Sequence, residues 1–179
     1  AIKSGRAAVV TDQIQRFTAS GIRLASGREL PADIIVTATG LQLNLLGDVS
    51  CRVDGQACNF SQKLAYKGMM LSGMPNLVYT FGYTNASWTL KADLVCEYVC
   101  RLLNYMDRKG FTKAVPHNSD PTLTEEPWVN FSSGYIQRAL PHQPKQGSKR
   151  PWKLYQNYVL DLLTLRHGSL RDKAMVFSK

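Results

Sequence analysis

Three stretches hold residues whose types and spacing could do chemistry. The first is "GYTNASW", residues 82 to 88, a compact polar turn between the apolar run "NLVYTF" and a long helical pattern, "TLKADLVCEYVCRLLNYM". Asn-Ala-Ser at 85 to 87 has the form of a glycosylation acceptor, as do the two "NFS" tripeptides at 59 to 61 and 130 to 132. Such tripeptides arise often by chance and no secretory leader accompanies these, so that reading yields to two others. Asn85 or Ser87 can accept from the first-turn N–H groups of the helix as a cap. That turn also leaves several N–H groups without intrahelical partners, and with the positive end of the helix dipole they suit an electron-rich ligand edge.

The second stretch is "TATG", residues 37 to 40, at the end of the β-branched run "IIVT". In an open parallel sheet, ligands bind beyond the carboxyl ends of the strands, and both stretches end in small residues that permit close backbone approach. The third is the cysteine set Cys51, Cys58, Cys96 and Cys100. An even count would permit two disulfides in an oxidising compartment. Cys96 and Cys100, four apart on a helix, read instead as small buried hydrophobes. With His117, His142 and His167 scattered, no zinc pattern forms, and a reducing cytoplasm is the simpler expectation. The sequence contains no G-x-G-x-x-G, no G-x-x-x-x-G-K, no nucleophile elbow and no H-E-x-x-H, so it carries no nucleotide or catalytic fingerprint of its own.

The elements that must position these residues follow from periodicity. "AAVVT" reads as a short strand. "IQRFTAS" and "IRLAS" alternate around Ser20-Gly21 as a half-buried hairpin, and a second turn falls at Ser26-Gly27. "IIVT" and "NLVYTFGY" read as strands covered on both faces. Between them the pattern weakens to loop, with a small hairpin around Asp54-Gly55. The strongest helix carries Leu90, Leu94, Val95, Tyr98, Val99, Leu102, Leu103 and Met106 on one stripe and stops at Gly110. Residues 112 to 130 read as irregular. A short helix over "SSGYIQRAL" is capped by Ser132 or Ser133, and "WKLYQNYVLDLLTLR" reads as a second long amphipathic segment.

At 179 residues and 44% hydrophobic, the chain suits one main globular unit. It begins "AIKSGRAAVV", which carries no targeting pattern and reads as a piece of a longer protein. No apolar run approaches the roughly 20 residues of a membrane helix. Lys and Arg outnumber Asp and Glu by 22 to 13, with much of the excess in "KQGSKRPWK" and around Arg166, Arg171, Lys173 and Lys179. A basic tail could dock on an acidic partner or nucleic acid. No nucleic-acid motif or interleaved aromatics accompany it, so nucleic acid is not expected.

At "ADIIVTATG" (32 to 40) the chain resembles the flavin-dependent monooxygenases, the group holding the Baeyer–Villiger and flavin-containing monooxygenases. The resemblance continues through "YKGMMLSGMPNLVYTFGYTNASWTLKADL" (66 to 94), and "SGYIQRALPHQPKQGSKRPWKLYQNY" (133 to 158) is similar to the tail of a bacterial Baeyer–Villiger subgroup. It implies an α/β fold, the C-terminal part of a flavoprotein with two dinucleotide-binding domains: a β-hairpin and parallel strands followed by helices. Residues 1–110 would be the C-terminal segment of the FAD-binding domain and 111–179 an irregular and helical tail.

The implied reaction uses FAD, NADPH and O2 to insert one oxygen atom into a ketone, or to oxidise sulfur or nitrogen, in a small organic substrate. The resemblance places Thr39 and Gly40 in the segment linking the NADPH and FAD domains. It places Gly82, Asn85, Ala86, Ser87 and Trp88 in the turn beside the isoalloxazine ring, and the N–H groups of Thr89 and Leu90 near its pyrimidine edge. No catalytic acid or base is assigned within this chain, because the family's arginine belongs to an N-terminal portion. Without that portion the chain is expected to be inactive, to bind neither FAD nor NADPH, and to self-associate through strand edges left uncovered. The alternative is a non-enzymatic interaction module built on the basic tail.

Overall fold

The computed structural model describes residues 1–179, the side chains of Leu45 and Asp48 excepted, and the chain divides into two units, Ala1–Gly40 and Leu41–Lys179. In the first unit, β1 (Ile14–Thr18), β2 (Gly21–Leu24) and β3 (Glu29–Pro31) form an antiparallel meander. Thr18 pairs with Gly21 and Gly21 with Pro31, so the turn expected at Ser20-Gly21 is formed. Gly21 is obligatory there: with φ of 155°, a Cβ would lie 2.0 Å from the Leu30 carbonyl oxygen.

The strands expected at "AAVVT" and "IIVT" are not formed. Among the described residues no strand pairs with 34 to 37, and Ile34 and Val36 are 83% and 84% exposed. A β-branched run becomes a strand only where a neighbour completes its hydrogen-bond ladder and covers its faces.

The second unit begins with the expected hairpin, β4 (Arg52–Val53) and β5 (Gln56–Ala57), turning at Asp54 and Gly55, which both have positive φ. A second hairpin joins β6 (Ala65–Tyr66) to β7 (Met70–Leu71). The stretch "NLVYTFGY" belongs to no sheet: Asn76 lies in a turn with φ of 55° and the residues after it have no regular secondary structure, which corrects the second strand expectation. It is fixed instead by burial of Tyr79 and Tyr83 and by the Tyr79 N–H donating to the Met69 carbonyl.

Residues 112 to 130, expected to be irregular, contain β8 (Lys113–Pro116) and β9 (Glu125–Pro127). β8 pairs antiparallel with β11 (Met175–Ser178), and β9 with β10 (Lys145–Gly147). Both partners lie far along the chain, where local pattern gives no hint of them. All named strand pairs are antiparallel, and a lone bridge, Leu64 with Lys145, is parallel. The architecture is therefore α/β with small antiparallel sheets, rather than the parallel-strand segment expected.

The long helix α1 (Trp88–Lys109) matches its pattern closely and ends at Gly110, whose φ of 65° and N–H to the Met106 carbonyl make a left-handed cap. Lys91, Leu94, Val95, Tyr98, Leu102 and Met106 are buried. Leu90 and Leu103 lie on the exposed side, as do Cys96 and Cys100, which corrects their reading as buried hydrophobes. The stripe is narrower than the apolar count suggested because α1 is covered on one side only. It packs with Tyr66, Met69, Met70, Trp152 and Leu165 in the main core. Tyr66 and Trp152 meet edge to face at 5.6 Å, a geometry that adds about 0.5–1.5 kcal/mol to area burial.

The short helix α2 (Gly134–Ala139) follows Ser133 as expected, although Ser133 makes no side-chain cap. The second long helix is not formed: α3 spans only Tyr158–Asp161 and runs into a π-helical turn, Leu162–Arg166. Gln156 has φ of 48°, which a right-handed helix cannot pass through, and the Asn157 side chain accepts from the Leu160 N–H to start the helix there. Arg101 of α1 holds the π-helical turn by donating to the carbonyls of Leu165, Arg166 and Gly168 at 2.6, 2.6 and 2.7 Å.

Candidate functional site

The turn before α1 is built by the tail of the second unit. The Thr84 N–H donates to Gln156 Oε1 at 2.9 Å, and Asn85 Nδ2 donates to the Gln156 carbonyl at 3.3 Å. Gly82 is buried beneath Trp88: a Cβ there would lie 2.1 Å from Trp88 Cγ, so a larger residue would displace the indole. Trp88 rests on Phe81 at 5.2 Å between centroids yet is 55% exposed.

Neither residue expected to cap the helix does so. Ser87 occupies the N-cap position without a side-chain cap bond, because its hydroxyl is engaged at 2.8 Å with that of Thr89. The Asn85 amide is turned to Gln156. Among the described residues no side chain accepts from the first-turn N–H groups, and residues 84 to 90 are exposed. Such a helix start offers donors and positive potential without competition from its own side chains. The structure brings Gly82, Asn85, Ala86, Ser87, Trp88, Thr89 and Leu90 into one turn and helix start. Thr39 and Gly40 are exposed at the end of the first unit.

Beside this turn lies a cavity of about 270 Å³ whose wall includes Phe81, Gly82, Tyr83, Trp128, Leu154 and Gln156. Its floor holds two ionic clusters, in which Lys91 is buried and Lys67, Asp161 and Asp172 are half-buried. Lys91, 5% exposed, pairs with Asp161 at 2.8 Å, and the Tyr83 phenol donates to the same carboxylate at 2.8 Å. Lys67 pairs with Asp172 at 3.0 Å, the Tyr66 phenol donates to Asp172 at 2.7 Å, and the Lys67 ammonium stands 4.9 Å from the Tyr98 ring centroid. Each charge has an opposite partner and a further hydrogen bond, the condition under which burial is tolerated.

The sequence reading missed these groups. Lys91 alone had a signal, since it falls in register with the buried stripe Leu94, Val95, Tyr98; Asp161 ends the four-residue helix α3 and Asp172 lies in a loop, and neither has a pattern to mark it.

The phenols respond to this setting. Burial first, then the neighbouring Tyr98 and Asp172, pushes the Tyr66 phenol above its ordinary range. Burial and Asp161 raise Tyr83, and burial alone raises Tyr79, whose hydroxyl has no partner among the described residues. A folded-state pKa above the unfolded value means the folded chain holds these protons more tightly. Their contribution to stability is complete below the unfolded value of about 10 and is lost as pH rises beyond it. Of the eight tyrosines, Tyr66, Tyr79 and Tyr83 are expected to ionise only with cooperative alkaline unfolding, read as tyrosinate absorbance coincident with loss of far-UV circular dichroism.

The basic tail is partly neutralised within the unit, at four of its cations. Lys145 pairs with Glu125, Lys149 with Asp120, Lys153 with Glu126 and Arg166 with Glu97. Among the described residues no group of three or more His, Cys, Asp and Glu is arranged to hold a metal ion, and no helix is long and apolar enough to cross a membrane.

Comparison with known proteins places these features in context. The chain is 56% identical over 179 residues to the FAD-containing monooxygenase EthA of Mycobacterium tuberculosis, a match covering all of this chain and 37% of the relative. It is 49% identical over 178 residues to the protein of the same name from Mycolicibacterium smegmatis, covering 99% of this chain and 36% of that relative. It is also 45% identical over 181 residues to the probable FAD-binding monooxygenase AlmA of an Acinetobacter species, covering 100% and 36%. The chain thus spans little more than a third of the length of the curated relatives it matches. No family model and no solved structure matches it.

Proposed function

We propose that this chain, homologous over its whole length to one portion of the FAD-containing monooxygenases, is the C-terminal portion of such an enzyme and supplies one edge of its flavin site. On this reading residues 1–110 complete the FAD-binding domain of a two-dinucleotide-domain protein and 111–179 form its tail. Thr39 and Gly40 lie where the NADPH and FAD domains join. The backbone N–H groups of Thr89 and Leu90 hold the pyrimidine edge of the isoalloxazine, and Gly82 and Asn85 to Trp88 pass beside the ring.

The observation that carries the reading is the exposed start of α1, left uncapped by Ser87, in a chain whose relatives are FAD-containing monooxygenases. A group with electron-rich carbonyl oxygens fits donors that no described side chain of the chain uses. When bound, FAD reduced by NADPH supplies the electrons with which O2 is activated, for insertion into a ketone or transfer to sulfur or nitrogen of a small organic substrate. The chain's own residues position: Gly82 lets the turn pass beneath Trp88, and Gln156 fixes Thr84 and Asn85. The paired lysines and aspartates line the cavity floor with their charges matched. Ile34 and Val36, exposed here, are the natural contacts of the rest of the protein, and in the isolated chain they favour self-association.

The interaction-module reading draws less support, because Lys145, Lys149, Lys153 and Arg166 already have acidic partners. The test compares the 179-residue chain with the whole protein encoded around it. The whole protein is expected to carry oxidised flavin and to consume O2 with NADPH, whereas the chain mixed with micromolar FAD leaves flavin fluorescence unquenched. Tight stoichiometric FAD binding by the chain alone would contradict the division of the site.

A further inference from the structure

The cysteines of the first hairpin in the second unit are placed to react with each other. β4 and β5 pair Arg52 with Ala57 and Val53 with Gln56, so the next pair outward is Cys51 opposite Cys58. The Cys58 N–H donates to the Cys51 carbonyl at 2.9 Å, which extends the ladder to this pair. Directly opposed residues project to the same face of a ladder. Both cysteines are half-buried and pack with Val53 and Phe60 against the cluster of Leu71, Met74, Tyr79 and Trp128. Hydrogen-bonded cross-strand residues have Cα atoms about 5.5 Å apart, inside the span of about 4.4–6.8 Å that a disulfide bridges. The register is pinned by a tight turn in which Asp54 and Gly55 have φ of 50° and 80°.

We propose that Cys51 and Cys58 are a redox modification site, a thiol pair that hydrogen peroxide converts to a reversible cross-strand disulfide. One thiolate attacks the peroxide O–O bond, becoming a sulfenic acid and releasing hydroxide, which takes up a proton to become water. The second thiol attacks that sulfur, closing the S–S bond and releasing a second water. In sum, two thiols and one H2O2 give one disulfide and two waters: the sulfurs are oxidised by two electrons and the peroxide is reduced by two.

Burial, and then the Cys58 thiol beside it, hold the Cys51 thiol above its ordinary range, so bridging quickens as pH rises and more thiolate forms. The pair packs in the same hydrophobic cluster as Trp128 and Phe81, which also line the cavity. The inference rests on the hairpin alone and stands apart from the flavin reading.

Cleavage after Arg52 makes the test direct, because trypsin then separates Cys51 from Cys58. The folded 179-residue chain is treated with stoichiometric H2O2, alkylated with iodoacetamide and digested. A disulfide-linked pair of peptides, 29 to 52 and 53 to 63, is expected, lighter by two hydrogen atoms than their sum and dissolved by dithiothreitol, with Cys96 and Cys100 still alkylated. Gly55→Val places a β-branched residue at positive φ and should slow bridging at least several-fold. Separate alkylation or overoxidation of Cys51 and Cys58, bridges scrambled to Cys96 or Cys100, or an undiminished rate in Gly55→Val would each overturn the assignment.

Discussion

Asp161→Ala is expected to destabilise the chain by about 3–5 kcal/mol, the cost of leaving a buried charge without its partner. Lys91 is 5% exposed, and its only other acceptor among the described contacts is the Lys67 carbonyl at 3.4 Å. The same truncation orphans the buried Tyr83 phenol. Both losses fall at the cavity floor, between the start of α1 and α3, so they act on one place. Asp161→Asn keeps an acceptor and should lose less. Replacing the set together, with Lys91→Met, Asp161→Leu and Tyr83→Phe, should recover most of the loss, because apolar groups of similar volume need no partner. Urea midpoints at unchanged m-value measure all three. A loss below about 1 kcal/mol for Asp161→Ala would mean the pair behaves as a solvated surface bridge.

What could be read from the sequence was what local chemistry decides. α1 was legible because its stripe, from Leu94 through Met106, and its Gly110 stop are properties of one contiguous segment. The hairpins at Ser20-Gly21 and Asp54-Gly55 were legible for the same reason: the turn residues choose the backbone. The strands read at "IIVT" and "NLVYTFGY" depend on neighbours, and no described strand pairs with either. β8 and β9 went unread because their partners, β11 and β10, are remote in sequence. The turn at Asn85 to Trp88 was found from its composition, yet its fixing by Gln156 was not, since that glutamine sits in a segment expected to be helical. The ionic floor was invisible for a further reason. A buried lysine and a surface lysine are the same letter, and only Lys91's register with Leu94, Val95 and Tyr98 distinguishes them.

Ser87→Trp in the whole protein is expected to lower turnover by about a hundredfold or more, the scale on which small misplacements at a reacting centre act. The side chain of Ser87 is exposed, shares a hydrogen bond with the Thr89 hydroxyl and makes no cap bond. The 179-residue chain should therefore accept the substitution with a stability change within about 0.5 kcal/mol, as surface positions do. Ser87→Ala should leave both stability and turnover near their starting values, because no cap bond is lost. A role confined to starting the helix predicts another pattern, in which Ala costs about 1 kcal/mol of stability and Trp costs no more turnover than Ala. The flavin-edge role requires the two readouts to separate: bulk at position 87 spares the fold while flavin content or NADPH-dependent oxygen uptake falls. Turnover unaffected by Ser87→Trp would remove the flavin edge from the start of α1.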